Sequence, residues 1–207
     1  MATLTDSEVA EILTPYAAVD TALAGQLSAY LDLLLRWNAR TNLTAIRSPE
    51  EIVRRHFGES LFAGRHLGDP LPDTLLDLGS GAGFPGLPIA LLHPQIAVTL
   101  AESQNKKSTF LREVIRTLGF PNVDVWAGRA EDLPAGRRFH TVALRAVDNM
   151  HAALAVASSL AEVQVVLLAG DGAEPPQGYR FRETIAIPQS NSSILYRAVP
   201  EWDAVAR

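Results

Sequence analysis

The chain has 207 residues, 47% of them hydrophobic and 20% charged, which suits one domain plus an appendage with a sizeable core and excludes a disordered or fibrous chain. Its formal net charge of −5 argues against binding nucleic acid by bulk charge alone, although Arg36, Arg40, Arg47, Arg54 and Arg55 cluster early and Lys106, Lys107, Arg112 and Arg116 cluster later. With no Cys and five His that never fall at ligand spacing, no metal is expected; with no secretory signature from Met1 to Glu8 and no apolar run long enough to span a bilayer, no membrane association is expected and a cytoplasmic location is.

Thr5 and Glu8 stand at capping-box spacing before Val9, Ile12 and Leu13, which predicts a short first helix. From Asp20, the positions Leu23, Leu27, Leu31, Leu34 and Leu35 keep a helical period through Trp37. Ser48-Pro49-Glu50-Glu51 reads as an N-cap, a proline at the first helical position and acids in the first turn of a third helix carrying Ile52, Val53, Phe57, Leu61 and Phe62. Gly68, Pro70 and Pro72 break the chain. A boundary there gives a helical extension over 1–68 and a second unit over 69–207.

Beyond it the rhythm changes. Leu75 to Leu78 predicts a strand, Pro85 to Leu92 a helix, Ala97 to Ala101 a strand and Lys106 to Leu118 a helix. Val123 to Trp126, Thr141 to Leu144 and Val163 to Leu168 predict further strands, with a helix from Asn149 to Ala161 between the last two. This alternation means βαβ units and a mainly parallel α/β sheet. Tyr179 to Ile187 and Ser193 to Val199 have no helix between them and predict a final antiparallel pair. Together these are the features of a Rossmann-like methyltransferase fold.

The most informative stretch is Asp77-Leu-Gly79-Ser-Gly81-Ala-Gly83-Phe-Pro-Gly86, at the end of the first strand. Glycines there let backbone approach a ligand in the crevice where such sheets bind. Gly81, Gly83 and Gly86 also satisfy the GxGxxG of a dinucleotide-binding enzyme, with Glu102 near the place of its ribose-binding acid. Asp77 favours S-adenosylmethionine instead: a carboxylate suits a cationic ligand and repels a pyrophosphate. Phe84-Pro85 makes the turn bulkier and removes a donor that an anion site would use. Glu102 is expected to accept from ribose hydroxyls. Ala130, Glu131 and Asp132, after the third strand, are expected beside the adenine. The rival classes are an NAD-dependent dehydrogenase, a methyltransferase of a small molecule, protein or other RNA, and a non-enzymatic RNA-assembly factor with a vestigial pocket.

At these residues the sequence resembles the ribosomal RNA small subunit methyltransferase G family, also called glucose-inhibited division protein B. The resemblance runs through Trp37-Asn38 and Asn42-Leu43-Thr44, His56-Phe-Gly-Glu59-Ser60, the glycine loop with its Phe84-Pro85-Gly86 ending, Glu102-Ser103, Lys106-Lys107, Gly128-Arg-Ala130-Glu131 and Arg145-Ala146. It implies methyl transfer from S-adenosylmethionine to N7 of one guanine in 16S rRNA, with Gly79, Phe84, Ala130, Glu131 and Arg145 on the cofactor. Asn42, His56, Glu59 and Ser60 are expected to read the base or position the RNA, and Lys106 and Lys107 to hold phosphates. Two positions depart from the family: Leu144 stands where Ser is usual, and Ala169-Gly170 where Lys-Gly is usual.

The absence of any triad or carboxylate pair agrees with this chemistry. Guanine N7 has a free lone pair and the leaving group is a neutral thioether, so neither a general base nor a general acid is required. Rate enhancement would come from alignment and desolvation. The target base must leave its stack, and Phe84 and Arg145 are the expected platforms.

Overall fold

The computed structural model describes residues 4–147 and 149–202. The chain opens with α1 (Asp6–Leu13), whose capping box is complete: Glu8 N–H donates to Thr5 Oγ1, and the Glu8 carboxylate accepts from Thr5 N–H at 2.7 Å. Asp20 caps α2 (Thr21–Asn38) by accepting from Leu23 N–H. Ser48 caps α3 (Pro49–Ile52), with Pro49 in its first turn. The helix then widens into a π-turn (Val53–Gly58) before returning to α-geometry as α4 (Glu59–Arg65). This departs from the regular third helix expected from the apolar spacing. Ser60 Oγ donates to the His56 carbonyl at 2.6 Å, an oxygen that also accepts from Glu59 N–H at the end of the widened turn.

The second part alternates strands and helices: β1 (Thr74–Leu78), α5 (Gly86–Leu92), β2 (Ala97–Ala101), α6 (Asn105–Leu118), β3 (Val123–Trp126), a 3-10 turn (Ala130–Asp132), β4 (Phe139–Arg145), α7 (Met150–Leu160) and β5 (Ala161–Ala169). β6 (Tyr179–Ala186) and β7 (Ile194–Pro200) follow as an antiparallel pair. The seven-stranded sheet has the order β3-β2-β1-β4-β5-β7-β6, parallel from β3 to β5, with β7 antiparallel to β5. This is the Rossmann-like arrangement expected from the alternation of elements. The strand order reverses between β1 and β4, which opens a crevice at the carboxyl ends of those strands.

Strand alternation splits the core between the two faces of the sheet. Leu75, Leu100, Ala143 and Val166 pack with α1 to α6, so the helical extension and the sheet share one apolar cluster. Leu76, Val142, Leu144, Val165 and Leu167 face the other side, toward Leu154 and Ala157 of α7. Trp37 anchors α2 on α6: its ring meets Phe110 edge-on and its Nε1–H donates to Glu113.

One buried polar junction ties the end of the extension to the sheet. Gln164 donates to the Leu67 carbonyl at 2.6 Å and to Thr141 Oγ1 at 3.0 Å, and its Oε1 accepts from Arg197 Nε. Arg197 also pairs with Glu183 at 3.0 Å. Gln164→Leu keeps the volume but strands a buried carbonyl and one guanidinium donor. It should therefore cost about 2–4 kcal/mol, read as a lowered urea midpoint at unchanged m-value. A midpoint equal to that of the parent would make this junction dispensable.

Candidate functional site

The crevice is a cavity of about 620 Å³. Its floor is the glycine loop. Gly79 and Ser80 donate their N–H groups to the Ala101 carbonyl, which clips the loop to the end of β2. Gly81 has φ +57, and a Cβ there would meet nothing nearer than the Gly79 carbonyl at 3.8 Å, so its backbone faces open cavity. Glu102 lies beside it. One carboxylate oxygen accepts from Gly81 N–H at 2.9 Å and the other from Gln104 N–H at 2.7 Å. Each oxygen keeps a lone pair for a further donor.

One wall follows β3, with Gly128, Arg129, Ala130 and Glu131 on the cavity and Trp126 Nε1–H donating to the Arg129 carbonyl at 2.8 Å. Ala146 and Val147 after β4 line another side, Ala146 in the left-handed region at φ +50. The remaining wall comes from the extension. Asn38 organises it: its Oδ1 accepts from the N–H groups of Leu43 and Thr44, and its Nδ2 donates to the Thr44 carbonyl. That turn presents Leu43 and Thr44 to the cavity.

Behind Thr44 the π-turn places His56, stacked on Phe84 with centroids 4.9 Å apart. Phe84 also stacks on Tyr30 at 5.5 Å and meets Phe57 edge-on, while the Tyr30 hydroxyl donates to the Ala82 carbonyl. Arg145, at the end of β4, donates from Nη1 to His56 Nδ1 at 2.7 Å, and from Nη2 to Glu59 at 2.9 Å and to the Arg55 carbonyl at 3.1 Å. The other Glu59 oxygen accepts from Ser193 Oγ. Glu59 borders a second cavity, which Arg54 and Arg55 also line.

Burial and two neighbouring guanidiniums, Arg145 and Arg55, push His56 down to about 3, so its imidazole is neutral. Burial also lowers Arg145, against the support of Glu59.

Of the expected cofactor residues, Gly79, Gly81, Phe84, Glu102, Ala130, Glu131 and Arg145 line the cavity. Asp77 and Gly83 do not. Asp77 shares the sheet face of Leu75, is fully buried, and accepts from Gly86 N–H at 2.9 Å, bracing the start of α5 from beneath the loop. Desolvation raises its carboxyl to about 7. Its other oxygen, Oδ1, is buried without a hydrogen-bond partner among the described residues. A Cβ on Gly83 would overlap Leu87 and the Tyr30 hydroxyl, so this glycine serves packing.

Of the expected RNA contacts, His56 and Lys107 line the cavity, while Lys106 is exposed outside it. Asn42 is exposed and accepts from Arg47. Ser60 is fully buried and engaged with the His56 carbonyl, too deep to read a base. Glu59 is committed to Arg145 and Ser193. Phe84 is 7% exposed with three aromatic neighbours, so it is a wall and not a free stacking platform. Sequence reasoning missed the cavity positions of Thr44, Ala146 and Val147. Thr44 and Ala146 carried a signal, as the ends of the Asn42-Leu43-Thr44 and Arg145-Ala146 runs, and Val147 carried none. Among the described residues no group of three or more His, Asp or Glu is placed to hold a metal, and no helix is long and apolar enough to cross a membrane.

A family model described as rRNA small subunit methyltransferase G matches residues 24–199. The ribosomal RNA small subunit methyltransferase G of Xylella fastidiosa (strain M23) is 45% identical over 157 residues, 76% of this chain and 73% of that protein. The protein of the same name from Stenotrophomonas maltophilia (strain K279a) is 42% identical over 172 residues, 80% of each chain. Among solved structures, magnesium protoporphyrin IX methyltransferase from Synechocystis PCC 6803 with bound SAH aligns with a TM-score of 0.61 at 15% identity, over 84% of this chain and 95% of that one. That last likeness is one of fold.

The depressed His56 makes a prediction about acid stability. Its unfolded form takes up a proton near 6.5 while the folded form stays neutral down to about 3, so this group's contribution is fully present above about 6.5 and lost as pH falls toward 3. His56→Gln should flatten the fall of stability over that window, read from urea midpoints at successive pH values. A parallel fall in both proteins would mean that His56 is protonated in the folded state.

Proposed function

Because the chain belongs to the rRNA small subunit methyltransferase G family, we propose that it transfers a methyl group from S-adenosylmethionine to N7 of a guanine in 16S rRNA of the small ribosomal subunit or its precursor. The observation that carries this reading is the single cavity that Glu102 and the glycine loop share with Thr44 and His56 of the extension. A donor site and a site for its acceptor then face each other. In this reading residues 1–68 form the helical extension, residues 69–207 form the cofactor-binding unit, and the reaction takes place in the cytoplasm.

The residues present fit the cofactor. Glu102 has a lone pair on each oxygen for the ribose hydroxyls. The Gly128 to Glu131 wall offers backbone and an acid to the adenine, and Gly79 to Gly81 leave room for the methionine end. Bound there, S-adenosylmethionine supplies an electrophilic methyl on a sulfonium that leaves as a neutral thioether.

The chain's own residues position the base, exclude water and balance charge. Leu43, Phe84 and Val147 make the walls apolar. Methylation at N7 leaves the guanine cationic, so free positive charge at this wall would oppose the step. Here His56 is neutral and Arg145 is paired with Glu59. Lys107, half-buried at the rim, and Arg54 and Arg55 on the second cavity would hold RNA phosphates on either side of the Arg145–Glu59 pair. Lys106 would contribute from outside the cavity.

The reading is tested by mass mapping of modified nucleotides in 16S rRNA from cells with and without the protein. One N7-methylguanosine should depend on it; an unchanged map overturns the assignment. Gly81→Val, which fills the open floor at a positive φ, should abolish both that mark and S-adenosylhomocysteine binding in calorimetry. Its Cβ meets no neighbour nearer than 3.8 Å, so the cost to the fold is the strain of a β-branched residue at φ +57, read as a lowered urea midpoint with cooperative unfolding retained.

A further inference from the structure

The extension wall contains a run of hydrogen bonds whose direction is fixed. It begins at Arg145, because a guanidinium has protons to give and no lone pair to accept with. Its Nη1 lies 2.7 Å from His56 Nδ1, so Nδ1 is the acceptor. A neutral imidazole that accepts at Nδ1 carries its proton on Nε2. That Nε2 lies 2.7 Å from Thr44 Oγ1, and the N–H is donated to the hydroxyl oxygen. Ile46 N–H, at 3.2 Å, occupies the oxygen's other lone pair. The Thr44 hydroxyl is left with a proton to donate and no capacity to accept. Thr44 is half-buried on the cavity wall.

Resting on the functional reading above, we propose that the Thr44 hydroxyl donates to O6 of the target base and thereby selects guanine over adenine. The two purines share N7, the atom to be methylated, and differ beside it: guanine presents the acceptor O6, adenine a donor amino group. A wall group that only donates matches the first and meets the second proton to proton. A lone threonine does not discriminate in this way, since its hydroxyl rotates to give or to take. The discrimination comes from Arg145, which sets the tautomer of His56, and from Glu59, which holds Arg145 at 2.9 Å. The stack of His56 on Phe84 keeps the ring in the plane that serves both nitrogens.

The test uses small-subunit particles reconstituted with 16S rRNA that carries guanine or 2-aminopurine at the mapped position. The latter keeps N7 and lacks the 6-oxo group. In single-turnover assays Thr44→Val should slow methylation of guanine about 10- to 100-fold, and Thr44→Ser should restore most of the rate. On 2-aminopurine, Thr44→Val and the parent should react alike, since the group that Thr44 reads is absent. S-adenosylhomocysteine affinity, measured by calorimetry, should be unchanged in both variants. A parent-like rate on guanine, or the same loss on both bases, overturns the role of Thr44 while leaving the functional reading standing. Absence of N7-methylguanosine from the parent enzyme on guanine particles overturns the functional reading, and the role of Thr44 with it.

Discussion

Arg145 cannot shed its proton, so the end of β4 is buried only because the fold brings acceptors to it. Glu59 supplies the countercharge, His56 a ring nitrogen and Arg55 a carbonyl. All of them lie on the helix that runs through the π-turn. This one set of contacts fixes the extension against the sheet edge where the strand order reverses. It also reaches further: Glu59 holds Ser193 at the start of the β7 segment, and His56 holds Thr44 on the cavity wall. A buried ion pair of this kind is weak support for overall stability but strong support for one arrangement over others, because either charge alone would be stranded. Here the arrangement is the cavity.

Much of the fold was legible in the sequence because it is local. Thr5 with Glu8, Asp20, and Ser48 with Pro49 each act within one turn, and each caps the helix it announces. The strands announce themselves by short apolar runs between turn residues. The π-turn does not, since Ile52, Val53, Phe57 and Leu61 keep an apolar face under either winding. Asp77 was legible in type and not in direction. Alternation from Leu75 puts its side chain on the face that the extension covers, yet its neighbours Gly86 and Leu100 are met only in the folded sheet. The hydrogen bonds among Arg145, His56 and Glu59 span 86 to 89 residues, beyond what periodicity or capping can reach.

The two departures from the family pattern fall at positions with different surroundings. Leu144 is fully buried among the apolar residues facing α7, one position before Arg145. An apolar side chain is well accommodated there, and the neighbouring guanidinium keeps its partners. Ala169 ends β5, half-buried and paired with Ile194, while the Gly170 carbonyl accepts from the Tyr196 hydroxyl. That strand end therefore brings backbone and no cation to its surroundings. Positive charge beside the cavities comes instead from Lys107, Arg54 and Arg55.

The cavity is assembled from parts that are far apart in the order of synthesis. Tyr30 meets Ala82 across 52 residues, Leu67 meets Gln164 across 97, and Glu59 meets Ser193 across 134. A chain emerging from the ribosome carries the glycine loop well before it carries Ser193, so early in translation the loop exists without the clamp on Glu59. Loop closure over such separations is slow relative to local helix formation. Every residue that lines the cavity lies between Leu43 and Val156, so the lining set is complete before the C-terminal strand pair is made. What the strand pair adds last is the cover on the edge of β5 and the Ser193 contact to Glu59, so the final stretch of synthesis buttresses a wall whose lining is already made.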